Sequence, residues 1–317
     1  MKTYLLSALL SFVLSFIFSL VLIPILRRLK AGQNILVYVK EHKNKSGTPT
    51  MGGIAFIAAA VLSSVLFSKR IDRTLVLCIV IGLAYMSIGL LDDFLKWKHK
   101  ENLGLKAWQK LFFQTIVAIF SGIYCLRAEL TQLYLPFLNR SIAIGSWIFP
   151  LSVFVFLGTV NAVNLTDGLD GLAAGASMPF FIFLGILICK ESGNDGEAIL
   201  SFCLAGALLA YLLFNVSPAA VFMGDTGSLA LGGFASALTL FSGNALYVPL
   251  LGICFLFSVI SVMIQVIYYK VTGGKRVFLM APIHHHFQKK GHSETRISYA
   301  YFLVTTLVGC LCLLPML

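Results

Sequence analysis

Charged side chains are scarce in this chain. Lys, Arg, Asp and Glu supply 12% of 317 residues, against about a quarter in a soluble globular domain. With 58% of residues hydrophobic and a mean hydropathy of +0.90, an ordinary soluble domain is excluded and a polytopic membrane protein is implied. A Walker phosphate loop is missing too, since no Gly-Lys-Ser or Gly-Lys-Thr occurs. The seven cysteines lie within or beside apolar segments and lack metal-ligand spacing, which points to packing rather than a disulfide framework or zinc site. The net charge of +11 is spread over membrane-proximal loops. That distribution argues against nucleic acid and for anionic lipid headgroups and a phosphorylated substrate.

Ten apolar runs are long enough to span a bilayer core of ~30 Å. They fall at roughly 4 to 26, 51 to 68, 73 to 91, 109 to 127, 147 to 163, 171 to 189, 198 to 214, 226 to 241, 245 to 269 and 297 to 316. The first is too long for a signal peptide, is followed by no small-residue cleavage site and closes with Arg27, Arg28 and Lys30. It is read as retained. Ser7, Ser11, Ser15 and Ser19 recur along it every fourth residue, a spacing that predicts close helix packing on one face. No internal repeat is evident.

Loops 26 to 50, 92 to 110 and 269 to 297 together hold seventeen of the twenty-four Lys and Arg residues. The positive-inside rule makes that face cytoplasmic and puts both termini outside, with Lys69, Arg70 and Arg73 against the trend. The expected fold is therefore all-α, a single integral membrane domain over 1–317 with about ten transmembrane helices. Its site is expected on the cytoplasmic face, because five acids at segment ends, Asp92, Asp93, Asp167, Asp170 and Asp225, all fall there. A carboxylate next to hydrocarbon is costly unless it is paired, hydrated or holding a cation.

Leu91-Asp-Asp-Phe94 closes the third run. One carboxylate can face a cleft while its neighbour meets water or Lys96, although a solvated helix end shows such pairs as well. Acids at a helix C-terminus oppose the dipole, which favours a functional reading. Asn161, Asn164, Asp167 and Asp170 recur every third residue in NAVNLTDGLDGL, a slowly drifting polar stripe if helical, while Gly168 and Gly171 allow turns and close approach of a ligand instead. Such oxygen-rich side chains suit a hard cation or nucleoside hydroxyls and amide edges. Asp225 sits in Met223-Gly-Asp-Thr-Gly-Ser228, where an Asp serves as N-cap or magnesium ligand and the glycines leave N–H groups open to phosphate. His284-His-His286 lies inside Ala281-Pro-Ile-His-His-His-Phe287. Zinc would need spaced ligands, so hydrogen bonding to phosphate or sugar is the favoured reading. Lys43 to Gly53 offers lysines, hydroxyls and glycines to an anion, or is a basic surface loop before a helix start.

Five of these motifs, Thr48-Pro-Thr-Met-Gly-Gly53, Leu91-Asp-Asp-Phe-Leu-Lys96, Asn161 to Gly171, Met223 to Ser228 and Ala281 to Phe287, resemble in order those of the bacterial phospho-N-acetylmuramoyl-pentapeptide transferases. The acidic motifs are shared with the wider polyprenyl-phosphate N-acetylhexosamine-1-phosphate transferases, and the triple-histidine loop resembles the muramoyl-pentapeptide branch. Gln288 and His292 stand where that branch commonly has Glu and Trp.

The resemblance implies transfer of phospho-MurNAc-pentapeptide from its UDP carrier to undecaprenyl phosphate in the bacterial inner membrane, giving lipid I and UMP, with Mg2+ as cofactor. It also suggests a homodimer. By the same resemblance, Asp225 ligates the metal, Asp92 deprotonates or positions the acceptor phosphate, and Asp93 supports the metal or the helix end. His284 joins these three as a catalytic candidate. Asn161, Asn164, Asp167, Asp170, Asn215, Phe222 and Gln265 line the nucleotide site, with Phe222 stacking on uracil. Lys45, Thr50, Lys96, Lys110, His285 and His286 meet phosphates and sugar. Two other readings stand beside this one: a sister transferase using UDP-N-acetylglucosamine, and an ion-coupled transporter. The transporter predicts acids at segment midpoints, where there are none.

Overall fold

Small residues decide how the helices of this protein approach one another. A computed structural model describes residues 1–32, 47–99, 104–193 and 195–316. Helix α1 (Lys2–Arg28) carries the four serines, all buried, against α7 (Asp195–Asn215). Ser11 and Ser15 donate to the Cys203 and Ala207 carbonyls at 2.7 and 2.8 Å. Opposite them, a Cβ on Gly206 would lie 2.2 Å from the Ala8 carbonyl oxygen. The spacing expected to give close packing does so, and Ser11 and Ser15 satisfy their hydroxyls on backbone carbonyls of the facing helix.

The remaining elements follow the apolar runs: α2 (Gly53–Phe67), α3 (Arg73–His99), α4 (Ala107–Arg127), α5 (Ile148–Thr166), α6 (Leu172–Leu187) and α8 (Gly224–Phe241), then α9 (Val248–Leu251), α10 (Ile253–Val271), α11 (Ile283–Lys289) and α12 (Glu294–Leu313). Among the described residues, eight helices are long and apolar enough to cross a membrane. The other two expected spans are α2, of 15 residues, and α8, which is buried along almost its whole length. A two-stranded antiparallel hairpin, β1 (Gln132–Leu135) with β2 (Arg140–Ala143), adds a β element to the expected all-α fold. The run expected at 245 to 269 is divided into a 3-10 turn, α9 and α10. All seven cysteines are free, as their placement in apolar segments predicts.

Helix α8 is the axis that positions the site. It runs antiparallel to α3, with Phe234 against Gly82 and the Asp225 backbone against Gly89, where added Cβ atoms would come within 2.2 and 2.0 Å. The end of α3, the end of α5 and the start of α8 therefore meet at one end of the bundle. The hairpin lies at the other, where Tyr134 N–H donates to the Gly243 carbonyl just beyond α8.

One boundary differs from expectation with a consequence for chemistry. Helix α3 continues to His99, so Asp92 and Asp93 lie inside it rather than at its end. The dipole argument does not apply to them, because Lys96, Lys98 and His99 occupy the last turn, where cations are favourable.

Candidate active site

Asp92, Asp93 and Asp225 each place one carboxylate oxygen within 4.8 Å of the others. Two lysines offset the charge of two of the three, Asp92 and Asp225. Lys96, one turn beyond Asp92, lies 2.6 Å from Asp92 Oδ2 and 3.1 Å from Asp225 Oδ2. Lys110, from α4, lies 3.3 and 2.6 Å from the same two oxygens. Each ammonium thus bridges both carboxylates. Asp92 is fully buried, and its Oδ1 accepts the Leu105 N–H at 2.7 Å.

Asp93 has a different assignment. Its Oδ2 accepts the Thr226 N–H and hydroxyl at 2.9 and 2.7 Å, and its Oδ1 accepts the Asp225 N–H at 3.3 Å. These are first-turn donors of α8, so Asp93 satisfies from another helix what an N-cap would satisfy locally. Asp225 is not the cap; it is held by the capped turn. Gly224 makes this arrangement possible, with φ +70° and a position at which a Cβ would lie 2.3 Å from Asp93 Oδ2 and 2.5 Å from Thr50 Oγ1. Thr50 is buried beside the carboxylates, on a segment tied to the start of α8 by Phe222 N–H to Pro49 O and Gly52 N–H to Phe222 O.

The three-residue stripe on α5 divides. Asn164 donates to Asp225 Oδ1 at 2.8 Å and to Ser228 Oγ at 2.9 Å. Asn161 points instead to Gln114 Oε1 of α4, at 2.8 Å. Helix α5 ends at Thr166, leaving Asp167 to Gly171 as a turn. Burial, reinforced by the negative charges of Asp225, Asp93 and Asp170, pushes the Asp167 carboxyl well above its usual range. His284 and His285 close on this turn, for a Cβ on Gly168 would lie 2.5 and 3.0 Å from their Nε2 atoms.

The donor set suits a divalent metal. Three clustered carboxylates supply the hard oxygens such an ion requires, and the two lysines already show that the cluster attracts positive charge. Asp225 is the most accessible member, with a side chain 16% accessible against 1% for Asp92.

A family model for glycosyl transferase family 4 matches residues 74–243, and signature 1 of phospho-N-acetylmuramoyl-pentapeptide-transferase matches residues 45–57. The phospho-N-acetylmuramoyl-pentapeptide-transferase of Caldanaerobacter subterraneus subsp. tengcongensis is 44% identical over 89% of this chain and 89% of its own length. That of Clostridium perfringens (strain SM101 / Type A) is 44% identical over 92% and 89%, and that of Clostridioides difficile (strain 630) 39% over 91% and 90%. The chain belongs to the phospho-N-acetylmuramoyl-pentapeptide transferase family.

Not every residue assigned by likeness to this transferase family converges on the carboxylates. Lys45 lies outside the described residues. Asn215, buried, accepts the Gly171 N–H at 3.2 Å and donates to the Val221 carbonyl at 2.9 Å, so it ties two turns together. Asp170 Oδ2 likewise accepts the Ala219 N–H, at 3.0 Å. Phe222 is partly buried on the segment so held. Gln265 is half-buried and is paired already, its Oε1 accepting the Val277 and Phe278 N–H groups at 3.1 and 2.9 Å. It borders a cleft of about 600 Å³ that Lys270, Arg276 and Lys289 also line. The histidine loop forms the short helix α11, and His286 Nδ1 accepts the Leu279 N–H at 3.1 Å.

Residues given no role of their own in the motifs complete the carboxylate cluster. Thr226 and Ser228 follow Asp225 on α8, and the Leu105 N–H holds Asp92. For Thr226 and Ser228 the available signal was their helical spacing from Asp225. Leu105 gave none, since its contribution is a backbone donor.

Proposed function

We propose that this transferase moves phospho-MurNAc-pentapeptide from UDP-MurNAc-pentapeptide to undecaprenyl phosphate, forming lipid I and releasing UMP in peptidoglycan synthesis. The carrying observation is the pair of lysines bridging Asp92 and Asp225 at the start of α8. An oxygen of the acceptor phosphate attacks the sugar-linked phosphorus of the donor. The bond from that phosphorus to the bridging oxygen breaks, and its electron pair leaves with UMP. Both partners are anions, so the site must suppress their repulsion and hold attacking and leaving oxygens in line. Lys96 and Lys110 supply fixed positive charge for this.

Asp92 acts as a positioning group rather than a base. Its Oδ1 is committed to the Leu105 N–H and its Oδ2 to two ammonium groups. A phosphate with a second pKa of about 6 is mostly ionised at neutral pH and needs no proton removed. Asp225, with Asp92 beside it, would hold Mg2+, which supplies further neutralisation of the diphosphate and stabilises the leaving phosphate. Asn164 orients Asp225, and the Asp167 to Gly171 turn, with Phe222, forms the nucleotide wall.

The excess of Lys and Arg in three alternate loops supports ten crossings, with α2 and α8 completing the eight longer helices, both termini outside and the site at the cytoplasmic face of the bacterial inner membrane. UMP release from each sugar nucleotide, in vesicles containing undecaprenyl phosphate with and without Mg2+, tests the whole reading. Release from UDP-MurNAc-pentapeptide only when Mg2+ is present is the expected result. Release from UDP-N-acetylglucosamine alone would make the chain a sister transferase, and no release from either, with Asp225→Asn abolishing an ion flux, would make it a transporter.

A further inference from the structure

One face of α12 holds both the backbone N–H and the backbone carbonyl of one residue, Asp170, in the turn after α5. The Asp170 N–H donates to Glu294 Oε2 at 3.0 Å, and the Asp170 carbonyl accepts from Ser298 Oγ at 2.8 Å. Glu294 and Ser298 are four residues apart on a helix, so their side chains lie one above the other and reach the same place. The gripping end is itself fixed. Ser293 caps α12 by accepting the Arg296 N–H, and Gln288 of α11 donates to Glu294 Oε1 at 3.3 Å.

What this grip controls follows from the bonds beyond it. The Asp170 carboxylate holds the Ala219 N–H, and Asn215 links Gly171 to Val221. The 167–171 turn and the 216–223 segment are therefore located together, and the second carries Phe222 and leads into Asp225. Asp92, Lys96 and Lys110, by contrast, stand on α3 and α4. Asp225 is held separately by Asn164 and by the turn that Asp93 caps, so loosening α12 should shift the 167–171 turn without displacing the lysine-bridged carboxylates at Asp92 and Asp225.

We infer that Glu294 and Ser298 are positioning residues which set the 167–171 turn for donor binding. The inference rests on the reading of that turn as the nucleotide wall. It assigns a role in donor recognition to the start of the last membrane helix, through a backbone group rather than by touching substrate.

The test uses the full chain in lipid nanodiscs, with KM for UDP-MurNAc-pentapeptide, KM for undecaprenyl phosphate, kcat and the thermal midpoint measured for Glu294→Ala, Glu294→Gln and Ser298→Ala. Each alanine variant is expected to raise the donor KM about five-fold, the size of one net hydrogen bond, with acceptor KM and kcat within two-fold of wild type. Glu294→Gln keeps an acceptor for the Asp170 N–H and should recover most of the donor KM. Were Glu294 only a favourable charge at a helix N-terminus, glutamine would behave like alanine, the midpoint would fall and the donor KM would stay. That outcome overturns the inference.

Ser298→Ala provides the same test if Glu294→Ala does not fold. Asp167→Asn, measured alongside, separates the two readings. If it leaves the donor KM unchanged while the α12 variants raise it, the assignment of Asp167 fails and the grip stands. If Asp167→Asn raises the donor KM and the α12 variants do not, the grip is refuted, and if neither moves it both readings are wrong.

Discussion

Asp93 on α3 closes the first turn of α8 by accepting two donors from Thr226, at 2.9 and 2.7 Å. A carboxylate in an apolar segment is thereby satisfied by backbone and hydroxyl donors of a neighbouring helix. Its removal should act on the fold first. Loss of a helix cap costs about 1 kcal/mol, up to about 2, and Asp93→Ala should lower the thermal midpoint accordingly, with turnover falling because Asp225 is no longer located. Asp225→Asn should leave the midpoint near wild type while turnover collapses. A thermal scan of both variants in detergent, paired with UMP release, checks this. An unchanged midpoint for Asp93→Ala with turnover lost would instead put Asp93 on the reaction path.

Lys110 gives the second expectation. It stands 2.6 Å from Asp225 and 3.3 Å from Asp92, where a metal held by these carboxylates would also sit. Metal and ammonium compete for the same oxygens, so Lys110→Met should tighten binding of Mn2+, used as a probe for Mg2+, by about ten-fold, equivalent to 1.4 kcal/mol. Turnover should fall nonetheless, since a charge that neutralises the phosphates is gone. Electron paramagnetic resonance of free Mn2+ reads the affinity directly. Weaker Mn2+ binding in the variant would mean that the lysine supports the metal site instead of sharing it.

The helices were legible because the demand for about 20 apolar residues leaves a strong imprint. Their interruptions were not. Nothing polar marks the break at Gly252, and the fall in hydropathy at Asp92 does not stop α3, because backbone hydrogen bonding continues beneath a polar side chain. The Asn161 to Asp170 repeat reads as a drifting stripe where helical or as turns at its glycines, and the chain uses both: α5 ends at Thr166, and within it each step of three turns the side chain by about 60°. Asn161 therefore meets Gln114 while Asn164 meets Asp225. Asp92, Asp225 and Lys96 could be read from their chemistry, whereas Lys110 was singled out only through the family resemblance. Glu294 and Ser298 could not be read, since their partners are backbone atoms of Asp170, which leave no side-chain signature.

His284 supplies a prediction about pH. It is fully buried, neither ring nitrogen has a hydrogen-bond partner among the described residues, and burial with His285 alongside pushes its imidazole down to about 3. The unfolded chain, with an ordinary histidine near 6.5, binds the proton that the folded protein refuses. Stability from this residue is therefore complete above about pH 6.5 and is lost as pH falls towards 3. Replacing it by glutamine removes the linkage, so the dependence of folding free energy on pH between 6.5 and 4.5 should become shallower by about one proton. The pH profile of turnover above pH 7 should keep its shape in wild type and variant, because a histidine held neutral there neither gives nor takes a proton. Thermal midpoints across that acidic range, with UMP release measured in parallel, decide the matter. Coincident midpoint curves would show that His284 is charged in the folded protein, and a lost basic limb of the profile would make it a proton donor.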